Sequence, residues 1–256
     1  MENTIEASRL EQQVLDKTYN LTSELAALGV QFTGRVLDAG CGTGVLSRHI
    51  SNNYPIASID AFDYSDIRVA QAKTLVTPHQ KNHIHFYQDD ILQLAQTTGK
   101  FDHIISRYVI EHTNDARKAI ENLSQYLQKG GTLSIIELDG VFFNLYTSHQ
   151  ELNELIAELK SLAPFDLNVG RKVPAYLEQV GLKEISWSAD QICCNGTILK
   201  EEFENTKLRF KSMHPFLCDV LSSEKKATRL EELYLSEMNR PSSTLVFTKF
   251  FCSAKK

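Results

Sequence analysis

Short apolar runs alternate with segments of helical period between residues 33 and 139. Five runs rich in β-branched residues have the length of strands: Arg35–Asp38, Ala57–Phe62, His83–Tyr87, Phe101–Ser106 and Thr132–Glu137. Helical segments separate them, and two of these are Asp66–Val76 and Ala116–Leu127. Because parallel strands need long crossover connections, usually helices, this alternation predicts an α/β fold with a parallel sheet.

The rest of the chain has a mostly helical pattern. Leucines at helical spacing predict one or two helices within Arg9–Leu28, ahead of the first strand. After the fifth strand we predict four helices and two more strands, in the order Gln150–Leu162, Arg171–Val180, Ser186–Cys193 (strand), Lys200–Met213, Glu224–Met238 and Thr244–Cys252 (strand). The whole chain therefore has seven candidate strands.

Neither an internal repeat nor a low-complexity linker divides the sequence, so we predict one domain over residues 1–256. It comprises cap helices in 1–32, a core in 33–140, helical insertions with one strand in 141–240, and a last strand in 241–256. The insertions either cover a ligand site at the carboxyl end of the sheet or only complete the core.

Composition excludes several classes of protein. The net charge is −5, and lysines and arginines are scattered among acids, so we expect no nucleic-acid partner. No stretch approaches the roughly 20 apolar residues of a membrane span, and the chain does not open on an apolar leader. Five dispersed cysteines without a C-x-x-C pair indicate a reducing compartment, so we expect a soluble, cytoplasmic protein. We expect no metal, because the histidines at 79, 83 and 85 are too few to form a site.

The first predicted strand runs into a glycine-rich turn, Val36–Gly44, which reads V-L-D-A-G-C-G-T-G and opens a helix at about Val45. Glycines there let a ligand approach the backbone, and a helix N-terminus presents free N–H groups to an anion. This pattern is typical of a nucleotide-type site. The dinucleotide fingerprint G-x-G-x-x-G would place its third glycine at Val45, which weakens a nicotinamide interpretation.

Two stretches carry a resemblance to a known family. D-A-G-C-G-T-G, from Asp38 to Gly44, and F-D-H-I-I-S-R-Y-V-I-E-H, from Phe101 to His112, resemble motifs of class I, Rossmann-like S-adenosylmethionine-dependent methyltransferases of the small-molecule type. The resemblance implies a doubly wound, mostly parallel seven-stranded sheet with an antiparallel last strand, N-terminal helices and a helical lid. It also implies that the loop wraps the methionine end of S-adenosylmethionine, at positions Asp38, Gly40, Cys41, Gly42 and Gly44.

The resemblance extends to the tips of the second and third strands. It implies that Asp63 binds the ribose hydroxyls and that Tyr64 stacks on the adenine, with Asp60 as a rival inside the strand. At the third strand it implies that Asp90, rather than Asp89, receives the adenine amino group and that Ile91 packs on the ring. The plainer alternatives are a helix-capping role for Asp63 and two solvated acids in a turn for Asp89 and Asp90.

The fourth strand leads toward the acceptor. By the same resemblance, the backbone carbonyl of Arg107 holds the amino group of the cofactor, and Tyr108 and Glu111 contact the substrate. His112 is the candidate base or orienting group, and a helix-capping histidine is the alternative. Glu137 and Asp139 at the fifth strand remain open between capping and substrate contact.

The function that this resemblance implies is methyl transfer to a small-molecule acceptor by in-line displacement. The chain lacks the [DNS]-P-P-[YF] tetrad of enzymes that methylate nucleobase nitrogens. Two alternatives are an NAD-dependent oxidoreductase on a Rossmann fold and a non-catalytic S-adenosylmethionine-binding module. The choice among O, N, C and S as the methylated atom stays open, as does the oligomeric state.

Overall fold

The structure is a computed structural model that describes residues 4–140 and 144–256. Within these ranges seven strands form one sheet in the order β3-β2-β1-β4-β5-β7-β6. Their bounds are β1 Gly34–Ala39, β2 Ile56–Asp63, β3 Ile84–Gln88, β4 Phe101–Arg107, β5 Leu127–Asp139, β6 Lys183–Cys194 and β7 Leu245–Lys255. β7 runs antiparallel to both of its neighbours, and the other pairs are parallel. The predicted sheet is confirmed, including its antiparallel last strand.

Helices cover both faces of the sheet. Their bounds are α1 Thr4–Gln13, α2 Leu21–Leu28, α3 Val45–Asn53, α4 Asp66–Leu75, α5 Ala116–Tyr126, α6 Gln150–Leu162, α7 Val173–Gln179, α8 Gly196–Val220 and α9 Glu224–Met238. Successive residues of β1 point to opposite faces, so Val36 packs with α2, α3 and α4, while Leu37 packs with α5 and α7. The doubly wound arrangement is therefore confirmed.

Two elements differ most from their predicted bounds. β5 begins at Leu127, directly after α5 and five residues before its predicted start, and Gly130 lies inside the strand with a φ of +80°. α8 extends over 25 residues instead of the predicted 14, and Pro215 lies within it. The helix continues past Pro215 because its buried side chains, among them Met213 and Leu217, pack into an apolar cluster with α6 and α9.

The insertion between β5 and β7 builds a cluster that is continuous with the sheet. Leu152, Leu230 and Leu217 of its helices pack with Leu138 of β5 and Phe247 of β7. This cluster lies beyond the carboxyl end of β5. Among the described residues, no helix is both long and apolar enough to cross a membrane.

The strand order reverses between β1 and β4, because β2 and β3 follow on one side of β1, and β4 and β5 on the other. Ligands of open α/β sheets bind at such a reversal, beyond the carboxyl ends of the strands. α1 and α8 contact each other through buried polar side chains. Arg9 Nη1 donates to Asn205 Oδ1 at 2.9 Å, and Ser212 Oγ donates to Glu6 Oε2 at 2.8 Å.

Candidate functional site

A cavity of about 420 Å³ lies where the carboxyl ends of the first four strands meet α1 and α8. The structure brings most of the predicted site residues to its wall: Asp38, Gly40, Cys41, Gly42, Asp63, Tyr64, Ile91, Arg107, Tyr108, Glu111 and His112. Gly44 and Asp90 lie outside the wall. One cavity thus contacts both the glycine-rich loop and the residues that follow β4.

The three glycines of the loop have left-handed φ values of +83° at Gly40, +55° at Gly42 and +76° at Gly44. A Cβ at Gly40 would lie 2.3 Å from the Val109 side chain, and one at Gly44 would lie 2.6 Å from the Phe86 ring. A Cβ at Gly42 would meet nothing closer than 3.6 Å. Gly40 and Gly44 are therefore needed for close packing as well as for the turn, whereas a Cβ at Gly42 would only touch the Leu10 side chain.

Asp63, at the tip of β2, holds the glycine-rich loop. Its Oδ2 accepts the N–H of Gly42 at 2.8 Å, and its Oδ1 accepts the N–H of Ser65 at 3.0 Å. The cap of α4 is Ser65, whose Oγ accepts the N–H of Arg68. The rival Asp60 instead pairs with Arg35 at 2.6 Å, outside the cavity. Ser65, and not Asp63, therefore caps α4.

The two acids after β3 have different surroundings. Asp89 lies at the cavity and accepts backbone N–H groups of Gln96 and Thr97 at 3.0 and 2.8 Å. Burial raises the pKa of Asp89, but hydrogen bonds from Ala95, Thr97 and Gln96 outweigh burial, so the pKa lies below its ordinary value. Asp90 accepts the N–H of Leu92 at 2.8 Å and is not among the residues that line the cavity. Both oxygens of Asp89 are thus bound within the turn that follows β3, and the role of Asp90 toward the adenine stays a prediction.

Asp38 and Cys41 are buried beneath the loop. Ser47 Oγ donates to Asp38 Oδ2 at 2.5 Å. Burial raises the pKa of Asp38 to about 6, against the lowering effect of Ser47. Burial also raises the pKa of the Cys41 thiol well above its ordinary value, so the side chain stays a thiol at neutral pH and is no nucleophile.

The end of the cavity beyond β4 carries a glutamate and a histidine. Glu111 is buried, and its Oε1 lies 3.5 Å from Nε2 of the half-exposed His112. Its other oxygen, Oε2, has no hydrogen-bond partner among the described residues. Burial raises the pKa of Glu111, so the carboxyl has a tendency to stay protonated. This end can exchange a hydrogen bond and a proton with a bound molecule.

Glu137 and Asp139 lie outside the cavity wall. Glu137 Oε1 accepts the N–H groups of Val109 and Ile110 at 2.9 and 2.7 Å, so it holds the segment that carries Glu111. Asp139 forms an ion pair with Arg171. Glu137 and Asp139 thus bind other parts of the chain and do not line the cavity, where a substrate contact would be made.

The helices that cover the cavity contribute residues that the sequence analysis missed. Glu6 and Arg9 of α1 and Arg209 of α8 line the cavity together. Arg9 Nη2 donates to Glu6 at 2.6 Å, and Arg209 pairs with Glu202 at 3.5 Å. Burial raises the pKa of Glu6, but Arg9 and Ser212 lower it more strongly, to about 2. The spacing of Glu6, Arg9 and Gln13 on one helical face was the available signal.

The close packing of Gly44 gives a stability prediction. Gly44→Ala adds a methyl group that overlaps the Phe86 ring and also strains a positive φ. Gly130→Ala is the matched control, because Gly130 has a similar φ of +80° but nothing within 4 Å of an added Cβ. We expect a loss of about 1–2 kcal/mol for Gly130→Ala and about 1–3 kcal/mol more for Gly44→Ala, both measured by denaturant unfolding. Equal losses would contradict the packing role.

The titration of Asp38 gives a second prediction. Its folded pKa of about 6 exceeds the ordinary value of 3.8, so its contribution to stability is complete below about pH 4 and disappears as the pH rises through 6. Asp38→Asn removes this dependence. Between pH 4 and pH 7 the wild type should lose about 1–3 kcal/mol of unfolding free energy relative to the variant. A difference that does not change with pH would show that Asp38 titrates normally.

Comparison with known proteins points to one family. A family model described as a methyltransferase domain matches residues 36–131. The malonyl-(acyl-carrier protein) O-methyltransferase of Bacillus anthracis is 35% identical over 143 residues, which are 55% of this chain and 48% of that protein. The protein of the same name from a Paenibacillus species is 27% identical over 45% of each chain. The chain thus spans about half the length of these curated relatives.

Solved structures share the fold at low sequence identity. The phosphoethanolamine N-methyltransferase 2 of Haemonchus contortus, in complex with S-adenosyl-L-methionine, has a TM-score of 0.63 at 17% identity, over 100% of this chain and 57% of that one. A methyltransferase structure from Bacillus halodurans has a TM-score of 0.60 at 13% identity, over 93% of this chain and 98% of that one. Residues 36–131 of this chain are thus similar to a methyltransferase domain, and the chain shares its fold with solved methyltransferase structures.

Proposed function

We propose that this protein transfers the methyl group of S-adenosylmethionine to a small-molecule acceptor. The observation that carries the proposal is that one cavity contacts the glycine-rich loop at one end and Glu111 and His112 at the other. A donor on the loop and an acceptor beside Glu111 would share one enclosed space. Positioning of this kind is the main requirement of a displacement between two bound molecules.

The loop side of the cavity suits an adenosine-containing cofactor. Gly42 lines the cavity without a side chain, and Asp63 lies beside it as a carboxylate that can accept ribose hydroxyls. Ile91 lines the cavity after β3, in position to pack on the adenine, and Asp89 and Asp90 directly precede it. Arg107, at the tip of β4 on the other side of β1, would then lie at the amino-acid part of the cofactor. Tyr64 is 71% exposed at the rim, from which it can cover the adenine.

The chemistry needs few reactive groups from the protein. Bound S-adenosylmethionine supplies a methyl group that is already activated by its sulfonium. The chain excludes water with α1 and α8, which close over the cavity. Glu111 can hold the acceptor by a hydrogen bond from its buried carboxyl, and His112 can take up the proton that a hydroxyl or ammonium acceptor loses.

The cavity volume and the names of the relatives support a small acceptor. About 420 Å³ lies within the range of small-molecule sites, and it has to contain both donor and acceptor. The relatives are named for methylation at O or at N. The net charge of −5 favours an acceptor other than nucleic acid. All five cysteines lie in the described ranges and are free thiols, in keeping with the cytoplasmic location that we propose.

Replacement of Asp63 tests the cofactor site. Asp63→Ala removes charged hydrogen bonds to the ribose and the anchor of Gly42, so the affinity for S-adenosylhomocysteine should fall by about 1.5–3 kcal/mol, measured by calorimetry. Asp60→Ala is the control on the same strand, because Asp60 lies outside the cavity. Unchanged affinity in Asp63→Ala would remove Asp63 from the proposed site.

Replacement of His112 tests the acceptor end. With a tritiated methyl donor and a panel of carboxylic acids, phenols, amines and thiols, His112→Ala should transfer roughly 100- to 10,000-fold more slowly than the wild type. Its affinity for S-adenosylhomocysteine should stay within about twofold, because His112 lies at the other end of the cavity. Wild-type transfer rates in this variant would show that His112 is not the base.

A further inference from the structure

A buried carboxylate behind the cavity connects several elements. Glu24 of α2 is 1% exposed and lies outside the cavity wall. Its Oε2 accepts Nε of Arg107 at 2.6 Å, and its Oε1 accepts the hydroxyl of Tyr108 at 2.6 Å. Lys249 of β7 forms an ion pair with the same Oε1. Since Arg107 and Tyr108 both line the cavity, Glu24 contacts two wall residues from behind.

Tyr108 has a backbone conformation that needs support. Its φ is +57°, in the left-handed region that a tyrosine rarely adopts. Three contacts hold it there. Its N–H donates to the carbonyl of Ile136 at 2.9 Å, its hydroxyl donates to Glu24, and the Arg107 guanidinium lies over its ring at 4.4 Å. Burial raises the pKa of Tyr108 well above its ordinary value, so the phenol keeps its proton for Glu24.

The charges of this cluster depend on Glu24. Burial raises the pKa of Glu24, but Arg107 and Lys249 together lower it below its ordinary value, so the group is a carboxylate at neutral pH. Without that charge, two buried cations would face each other across the position of residue 24. An unpaired buried ion destabilises a protein by more than the intact ion pair stabilises it. Arg107 would therefore leave its present place.

We propose that Glu24 is a positioning residue, which fixes the wall formed by Arg107 and Tyr108 where the amino-acid part of the cofactor lies. This inference rests on the proposed function. Asp63 ends β2 and Asp89 follows β3, on one side of β1, and Arg107 ends β4, on the other side. With the adenosine beside Asp63 and Asp89, the amino-acid part extends toward Arg107. Glu24 therefore acts on one half of the cofactor only.

Two ligands separate these halves. S-adenosylhomocysteine carries both the adenosine and the amino-acid part, and 5′-methylthioadenosine lacks the amino-acid part. In Glu24→Gln, calorimetry should show S-adenosylhomocysteine bound at least 10-fold more weakly than in the wild type. The affinity for 5′-methylthioadenosine should stay within about twofold. Glu121→Gln is the matched control, because Glu121 forms an exposed ion pair with Lys118 on α5, and it should change neither affinity.

An equal loss for both ligands, or an unchanged affinity for S-adenosylhomocysteine, would overturn the role of Glu24. If Glu24→Gln does not fold, Tyr108→Phe decides, because it removes only the hydroxyl that binds Glu24. Tyr108→Phe should lower the affinity for S-adenosylhomocysteine by about threefold or more and leave the affinity for 5′-methylthioadenosine unchanged. Wild-type affinity of Tyr108→Phe for S-adenosylhomocysteine would then overturn the inference. A wild-type protein that binds neither ligand would instead contradict the proposed function, and the inference with it.

Discussion

The hydrogen bond from the N–H of Gly42 to the carboxylate of Asp63 joins the two strand ends that form one end of the cavity. Gly42 follows β1 and Asp63 ends β2, so this bond fixes the glycine-rich loop against the neighbouring strand. The loop can take this path because Gly40, Gly42 and Gly44 adopt positive φ values. A sheet whose strand order reverses beside β1 leaves the space in front of the loop open, and the cavity occupies that space.

Buried ions shape the rest of the cavity. Arg9 with Glu6, and Arg209 with Glu202, lie in the cover, while Glu24 with Arg107 lies behind the wall. Such pairs add little net stability, because desolvation offsets their attraction. They do fix orientation, since a displaced partner would leave an uncompensated buried charge. The polar cover and the polar back wall thus give the cavity a defined shape around a pocket that is otherwise largely apolar.

Local patterns predicted the fold and the glycine-rich turn, because strand period, helix period and glycine turns are all properties of neighbouring residues. Other features depend on contacts between distant parts of the chain. Glu24 meets Arg107 across 83 positions, and Arg9 meets Asn205 across 196, so no local pattern marks them. The carboxylate of Asp89 accepts N–H groups of Ala95, Gln96 and Thr97, so its partners could not be read from the acid pair at 89 and 90 alone. The length of α8 was underestimated because tertiary packing outweighs the helix-breaking tendency of Pro215.

Parallel calorimetric titrations of the wild-type protein with S-adenosylmethionine and with NADH decide whether the cavity binds S-adenosylmethionine or a nicotinamide dinucleotide. Both ligands contain adenosine, and they differ in the part that would lie beside Arg107. We expect a one-to-one complex with S-adenosylmethionine at micromolar affinity and no heat of binding with NADH. Binding of NADH alone would contradict the assignment of the cavity and its glycine-rich loop to S-adenosylmethionine.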